Sequence, residues 1–306
     1  DLRAGYATAN RFKAEFASDF YTLIPGAHFS LNALASGLEV LKFFGVGNET
    51  PFNHQLADEG FYKVRQQQYS IRPEFGIPLF PHAEMQLGAE YKFVRTLPTD
   101  DDDQTSDSTF LSTQPVAVYG TEDIALPKLY AGARLDTRNS DAFPTRGAFL
   151  EVGGSYSPKL GKLRDDMVRF RGDARLYLSA KILTPMTLAL RVGGEHVRGE
   201  YPFFEAAFLG GTSTLRGFDK NRFAGNTSAF ANAELRAYLF QVKLLAPQYV
   251  GFFLSADGGK VFVEGIKSES FHSAFGGGIW VAPVSPENVF SVGYMSLTDR
   301  SLAERL

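Results

Sequence analysis

The chain has 306 residues, 44% of them hydrophobic and 21% charged, with a formal net charge of −3. That length suits one large fold or two domains, and the near-neutral charge excludes the basic footprint of a nucleic-acid-binding protein. No run of about 18 apolar residues occurs, which excludes a transmembrane helix, and the lack of cysteine excludes disulfides and thiolate metal sites.

Glycine (30 residues) and the rings of 28 phenylalanines and 13 tyrosines are abundant, against one tryptophan. Aromatics favour strands, whereas glycine weakens them unless backbones approach closely. A strand-built fold with glycine at bends and aromatics on an outer surface reconciles the two. The opening, DLRAGYATAN, reads as mid-fold, so the N-terminus is expected to be processed or missing.

Period-two alternation recurs along the chain, and helical periodicity is scarce. Strands are expected at 2–9, 12–20, 28–43 and 61–77, the last holding KVRQQQYSIRPE, polar on both faces. At 83–96, Met85, Leu87, Ala89, Tyr91 and Phe93 alternate with Glu84, Gln86, Gly88, Glu90 and Lys92. At 127–138, Leu129, Ala131, Ala133 and Leu135 alternate with Lys128, Tyr130, Arg134 and Asp136. At 146–157, Leu150, Val152 and Tyr156 alternate with Glu151, Gly153 and Ser155. At 166–181, Val168, Phe170, Ala174, Leu176 and Leu178 oppose Arg169, Arg171, Asp173 and Arg175. Further strands are expected at 186–198, 228–240, 249–262, 271–282 and 288–297.

A soluble β-sandwich would show the same alternation with its faces reversed. Two features favour a transmembrane barrel. Many segments exceed the usual 5–6 residues or so of globular strands, and several match the roughly 9–11 residues with which a tilted strand crosses a bilayer. Connections also alternate in length: 21–27, 78–82, 139–147, 183–186 and 282–287 are short, whereas 44–60, 97–126 and 199–227 are long. Short turns at one end and longer loops at the other mark an outer-membrane barrel. Unpaired edges in hydrocarbon are costly, so thirteen strands and the ending TDRSLAERL lead us to expect strands missing at both ends. The acidic run TDDDDQTSD (99–107) reads as a solvated part of a long loop rather than a calcium site.

The stretch FLGGTSTLRGF (208–218) lies in the longest connection but one. It lacks the G-x-x-x-x-G-K-[ST] pattern of a phosphate loop. Its apolar lead-in, FFEAAFLGG, does not suit a solvated surface loop. LGGTSTLRGF resembles the loop motif of the BamA-like outer-membrane protein superfamily of assembly, translocation and two-partner secretion barrels. LDTRNSDAFPTRGAFLEV (135–152), NAELRAYLF (232–240) and FFLSADGGKVF (252–262) are similar to that superfamily's turn and two wall strands. FFGVGNETPF (43–52) resembles members fused to metallophosphoesterase domains.

The resemblance implies an all-β, antiparallel transmembrane barrel of about 16 strands in the intact protein, with a long extracellular loop folded into the lumen. It implies that Gly210, Gly211, Leu215, Arg216, Gly217 and Phe218 form the loop tip, and that Arg216 meets the wall carboxylates Glu234 and Asp257. Alternation independently places Glu234 with Asn232 and Arg236 on a polar face, and Asp257 opposite Phe252, Leu254 and Ala256. Arg216 could pair with both carboxylates through forked, charge-assisted bonds. The plainer alternative is that Arg216 only plugs a pore, without functional movement.

The five histidines (His28, His54, His82, His196, His272) are scattered, with no H-E-x-x-H spacing and no G-x-S-x-G elbow. Glu151, Asp173 and Glu195 read as lumenal salt-bridge partners rather than acid–base pairs. No catalytic residue, metal or cofactor is expected. Residues 1–306 are expected to form one barrel domain, incomplete at both ends, with N-terminal periplasmic domains lying outside the chain. The resemblance implies a bacterial outer-membrane location and contact with lipid, polypeptide substrates and accessory outer-membrane or periplasmic proteins, but not nucleic acid. The implied activity is insertion of outer-membrane proteins or passage of polypeptide. Alternatives are an anchor or exporter of a fused enzyme domain such as a phosphoesterase, and a passive pore.

Overall fold

The computed structural model describes residues 2–7, 11–24, 27–97, 109–115, 117–243, 247–285 and 288–298. The acidic run 99–107 lies outside these residues. Among them, thirteen strands form one antiparallel meander: β1 (Leu2–Ala7), β2 (Arg11–Ile24), β3 (Ala27–Lys42), β4 (Lys63–Phe80), β5 (Ala83–Leu97), β6 (Ile124–Asp136), β7 (Gly147–Ser157), β8 (Met167–Lys181), β9 (Pro185–Arg198), β12 (Thr227–Lys243), β13 (Pro247–Phe262), β14 (His272–Pro283) and β15 (Phe290–Leu297). Between β9 and β12 a small separate hairpin, β10 (Ala207–Leu209) and β11 (Phe223–Gly225), belongs to the long loop. Each expected strand has its counterpart. Several run further than expected at one end; Tyr21–Ile24 and Pro78–Phe80, for example, extend β2 and β4 rather than forming turns.

Which face meets lipid decides between barrel and sandwich. Phe170, Leu176 and Leu178 of β8 are exposed, as are Leu150, Val152 and Tyr156 of β7 and Leu254 and Phe275 across β13 and β14. So continuous an apolar outer band does not survive on a water-soluble monomer. Facing inward from the same strands, Arg175 pairs with Asp173 at 2.8 Å and Arg171 with Glu151 at 3.0 Å. Oily side chains therefore face outward and ionised ones line the lumen, as a membrane barrel requires.

The sense of β4 becomes clear in three dimensions. Tyr69, Ile71 and Phe75 face outward, whereas Gln66 is buried on the inner side. Ring pairs on the outer face link neighbouring strands, as in Phe20–Phe29 (6.0 Å between centroids) and Phe29–Phe75 (4.9 Å). The aromatic surplus is nevertheless divided. A second set, including Phe43, Phe44, Tyr62, Phe203 and Phe204, is buried at the long-loop end. Inner-face glycines make room for large side chains of neighbouring strands: a Cβ on Gly251 would lie 2.3 Å from the Trp280 ring.

Strand length explains the buried aromatics. At 15–18 residues, β3, β4, β5, β12 and β13 exceed what a bilayer crossing needs. Part of this extra length lies at the short-turn end, as at Pro78–Phe80 of β4, and part at the long-loop end. There the inner face changes from charged to apolar: Lys92 is followed inward by Val94, Lys128 is preceded by Leu126, Arg169 by Met167, and Glu195 is followed by Val197. These four apolar side chains are at most 1% exposed and form one core with Phe43, Phe203 and Phe204. The lumen is thus tiered, with a charged layer towards the short turns and a dry layer towards the loops.

Candidate functional site

Loop 199–226 enters this tiered interior. Phe203, Phe204, Ala206, Ala207, Leu209, Leu215 and Phe223 are all buried. Leaving so apolar a segment in water would forfeit about 1.5–3 kcal/mol for each large side chain. It packs instead on the dry tier. Its first part joins the cluster around Ile124 and Val197, and Leu209, Leu215, Phe218 and Phe223 form a second cluster with Val261 and Ala274. Gly210 and Gly217 adopt φ of +118° and +90°, a region that favours glycine. At Gly210 a Cβ would also lie 2.3 Å from the Asp219 carbonyl oxygen, so this turn excludes a side chain.

These turns present Arg216 to the wall. Its Nε and Nη2 donate to Asp257 Oδ2 and Oδ1 at 2.8 and 2.7 Å, and its backbone N–H donates to Oδ2 at 3.0 Å. Its Nη1 donates to Glu234 Oε2. Asp257 is 3% exposed, so this is a forked pair largely removed from solvent, the geometry in which Arg–carboxylate bonds are strong and directional. Hydrogen bonds to Asp257 and Glu234 raise the Arg216 pKa above its ordinary value, against the effect of burial. Asn232 Nδ2 donates to the Thr214 carbonyl at 2.8 Å, and the Phe208 N–H donates to Glu195 at 3.2 Å. The structure therefore brings together Arg216, Glu234 and Asp257, with Gly210, Gly211 and Gly217 shaping the turns and Leu215 and Phe218 packed beside them.

A second ionic anchor lies on the other side of the loop. Glu205, at the end of a 3-10 turn (Phe203–Glu205), is 5% exposed. It accepts from Lys128 Nζ at 3.1 Å, from Arg169 Nη2 at 3.1 Å and from Lys92 Nζ at 3.5 Å. Arg169 also donates to Glu195 at 2.6 Å. Burial alone would raise the Glu205 pKa; Lys128, then Lys92 and Arg169 outweigh it and hold the carboxyl well below its ordinary value. The loop thus inserts an anion among cations of β5, β6 and β8, and a cation between anions of β12 and β13. Nothing local in the sequence marks Glu205 beyond one acid in an apolar run, FFEAAFLGG.

Segment 43–52 closes over the same loop. Asn48 exchanges hydrogen bonds with the backbone of Val261 at 2.8 and 2.9 Å, and Arg222 donates to Thr50 Oγ1 at 2.5 Å while lying over the rings of Phe44 and Phe52. Lys42 pairs with Asp219. Among the described residues, no three His, Asp or Glu side chains are grouped as a metal site would need. The arrangement is a non-covalent latch, with directional ion pairs at two points and dry packing between them.

Residues 2–294 match the Omp85 superfamily domain. The fold is similar to the crystal structure of BamA from Haemophilus ducreyi lacking POTRA domains 1–3, at 13% identity and a TM-score of 0.66, over 97% of this chain and 60% of that one. It is also similar to CdiB from Acinetobacter baumannii, at 12% identity and a TM-score of 0.52, over 94% of this chain and 50% of that one. The chain therefore spans about half to three-fifths of those two structures. No curated protein matches it. The lipid-facing apolar band, the lumenal ion pairs and the family match together place the chain in the bacterial outer membrane, and it belongs to the Omp85 superfamily.

Proposed function

We propose that the chain is the barrel of a protein that inserts outer-membrane proteins or passes polypeptide across that membrane, with loop 199–226 as a latch that sets the lumen's shape. The observation carrying this reading is the forked attachment of Arg216 to Asp257, shared with Glu234. A pore that only needed narrowing could be filled by packing alone. A loop tied by directional ion pairs has one defined latched position and a definite cost of leaving it. In this reading the barrel works without catalytic residue, metal or cofactor. Its partners are lipid, client polypeptides and accessory outer-membrane or periplasmic proteins, and residues 1–306 act as one barrel unit within a longer protein.

The test is reconstitution of the full-length protein in liposomes, with a reporter barrel or a secreted polypeptide offered from the turn side. Expected is heat-modifiable insertion or protease-protected transfer well above protein-free liposomes, reduced at least tenfold by Arg216→Ala. Background rates for both reporters, with a large and steady single-channel conductance, would favour the passive pore. Background rates with a hydrolase found upstream in the gene would favour the anchor, towards which the resemblance of 43–52 points.

A further inference from the structure

The turn 137–146, at the end of the barrel opposite loop 199–226, does not stay outside the lumen. Asn139 Oδ1 accepts from the N–H groups of Thr145 and Arg146 at 2.9 Å each, and Arg138 donates to Asp136 through its backbone N–H (3.1 Å) and guanidinium (2.9 and 2.6 Å). The turn is therefore a small rigid unit. It inserts Phe143 and Pro144 into the turn-side mouth. The Phe143 ring lies 5.1 Å from that of Trp280, which sits over Gly251 and donates its Nε1–H to the Phe252 carbonyl at 3.2 Å. Phe143 thus rests against a fixed partner on the wall.

Its other face meets Arg236. The guanidinium carbon lies 4.7 Å from the Phe143 centroid, and Nη1 donates to the Pro144 carbonyl at 3.3 Å. Arg236 Nε donates to Glu234 Oε1 at 2.7 Å, while Glu234 Oε2 holds Arg216. Each oxygen of one carboxylate therefore serves one arginine: Arg216, carried by the loop, and Arg236, which stands on β12 and touches the turn at the other end of the barrel. With Phe143 and Pro144 in place, Nη1 of Arg236 is occupied by the turn. Together with the Phe143 ring this contact fixes how the guanidinium is turned; once the two residues leave, it is free to swing its Nε/Nη2 edge onto both oxygens of Glu234 in competition with Arg216.

We propose that turn 137–146 and loop 199–226 are coupled through Arg236 and Glu234, so that withdrawing Phe143 from the mouth loosens Arg216. This rests on the reading of Arg216 as a latch. The contacts form an unbroken chain from turn to loop, and the shared carboxylate supplies the two alternative arrangements that coupling requires. Whatever engages the turn from its own side of the membrane would thereby bias the loop on the other.

The experiment uses the full-length protein in liposomes with one cysteine introduced into this chain, Thr212→Cys, a position lining the lumen beside Arg216. The rate of reaction with a bulky polyethylene-glycol maleimide is read. Arg216→Ala should raise that rate, and Phe143→Ala should raise it about fivefold, the lower end of allosteric coupling. Phe143→Leu, which keeps most of the packing but not the ring stack, should give a smaller increase in the same direction. Arg146→Ala, an exposed side chain of the same turn whose backbone bond to Asn139 is kept, should leave the rate unaltered. In an Arg236→Gln background, Phe143→Ala should have no effect. If Arg216→Ala raises the rate but both Phe143 variants leave it unchanged, or if Phe143→Ala acts equally in the Arg236→Gln background, the coupling is refuted while the latch stands. If Arg216→Ala itself leaves the rate unchanged, the latch falls and the coupling with it.

Discussion

The two tiers of the lumen hold the same loop by different physics. Around Ile124, Val197 and Leu209 the contacts are dry and non-directional, so many related side chains of similar volume would serve. Around Asp257 and Glu205 they are charged and directional, and only one position of the loop satisfies them. The comparison separates two roles. Apolar packing supplies much of the energy for holding the loop inside, whereas the ion pairs fix where inside it stops. A buried pair is weak evidence for stability but good evidence for a selected geometry, because removing one partner strands the other.

The comparison can be broken most forcefully at Glu205. Glu205→Ala leaves Lys92, Lys128 and Arg169 facing one another without their shared anion, and should cost about 3–5 kcal/mol. The readout is the temperature at which heat-modifiable mobility is lost, together with protease cleavage of the loop. Next comes the dry tier: Leu209→Ala, at a fully buried position, should cost about 3 kcal/mol. Unlike Glu205→Ala, it should leave the maleimide reactivity of Thr212→Cys nearly unchanged, because packing is lost while the anchors remain. If the two variants shift both readouts in the same ratio, the division of roles is wrong.

Acid sharpens the same contrast. The folded-state pKa of Glu205 lies below its ordinary 4.5, so its contribution is fully present above 4.5 and lost as pH falls through the depressed value. The temperature at which heat-modifiable mobility is lost, measured from pH 7 downward and taken relative to a Glu205→Gln protein at each pH, should hold steady through pH 4.5 and fall only below it. A relative fall centred at 4.5 or above would mean that the three cations do not hold the carboxylate. The smallest effect is expected at Lys42. Its bond to Asp219 is part-exposed at the rim, so Lys42→Ala should cost about 1 kcal/mol or less, and less still in high salt.

Strands and wall orientation were legible because period two survives wherever one face meets lipid and the other a charged lumen. Arg216 and its two carboxylates were legible because the loop and wall motifs are local enough to show the resemblance that implies their pairing, and alternation independently puts Glu234 and Asp257 on the polar face. Glu205 was not. Its cations lie 36, 77 and 113 residues away on three strands, and no local pattern joins them. The dry tier was hidden because the inner face turns apolar there while outward positions such as Arg95 and Arg198 are charged, so the sign of the alternation that marks the lumen is lost where strands outgrow the bilayer. Strand β4 shows the converse, since its polar first third lies beyond the apolar band. The inward turn of Phe143 was hidden too, because its partners Trp280 and Arg236 come from β14 and β12.

The account stands or falls on whether Arg216 and Asp257 act as one unit. The direct measurement is a double-mutant cycle of Arg216→Ala and Asp257→Ala in the full-length protein, read by the reaction of Thr212→Cys with a bulky maleimide from the loop side. The account predicts that either variant accelerates labelling and that the double variant is no faster than the quicker single one. Accelerations that multiply, or a parent already labelled as fast as the variants, would contradict it.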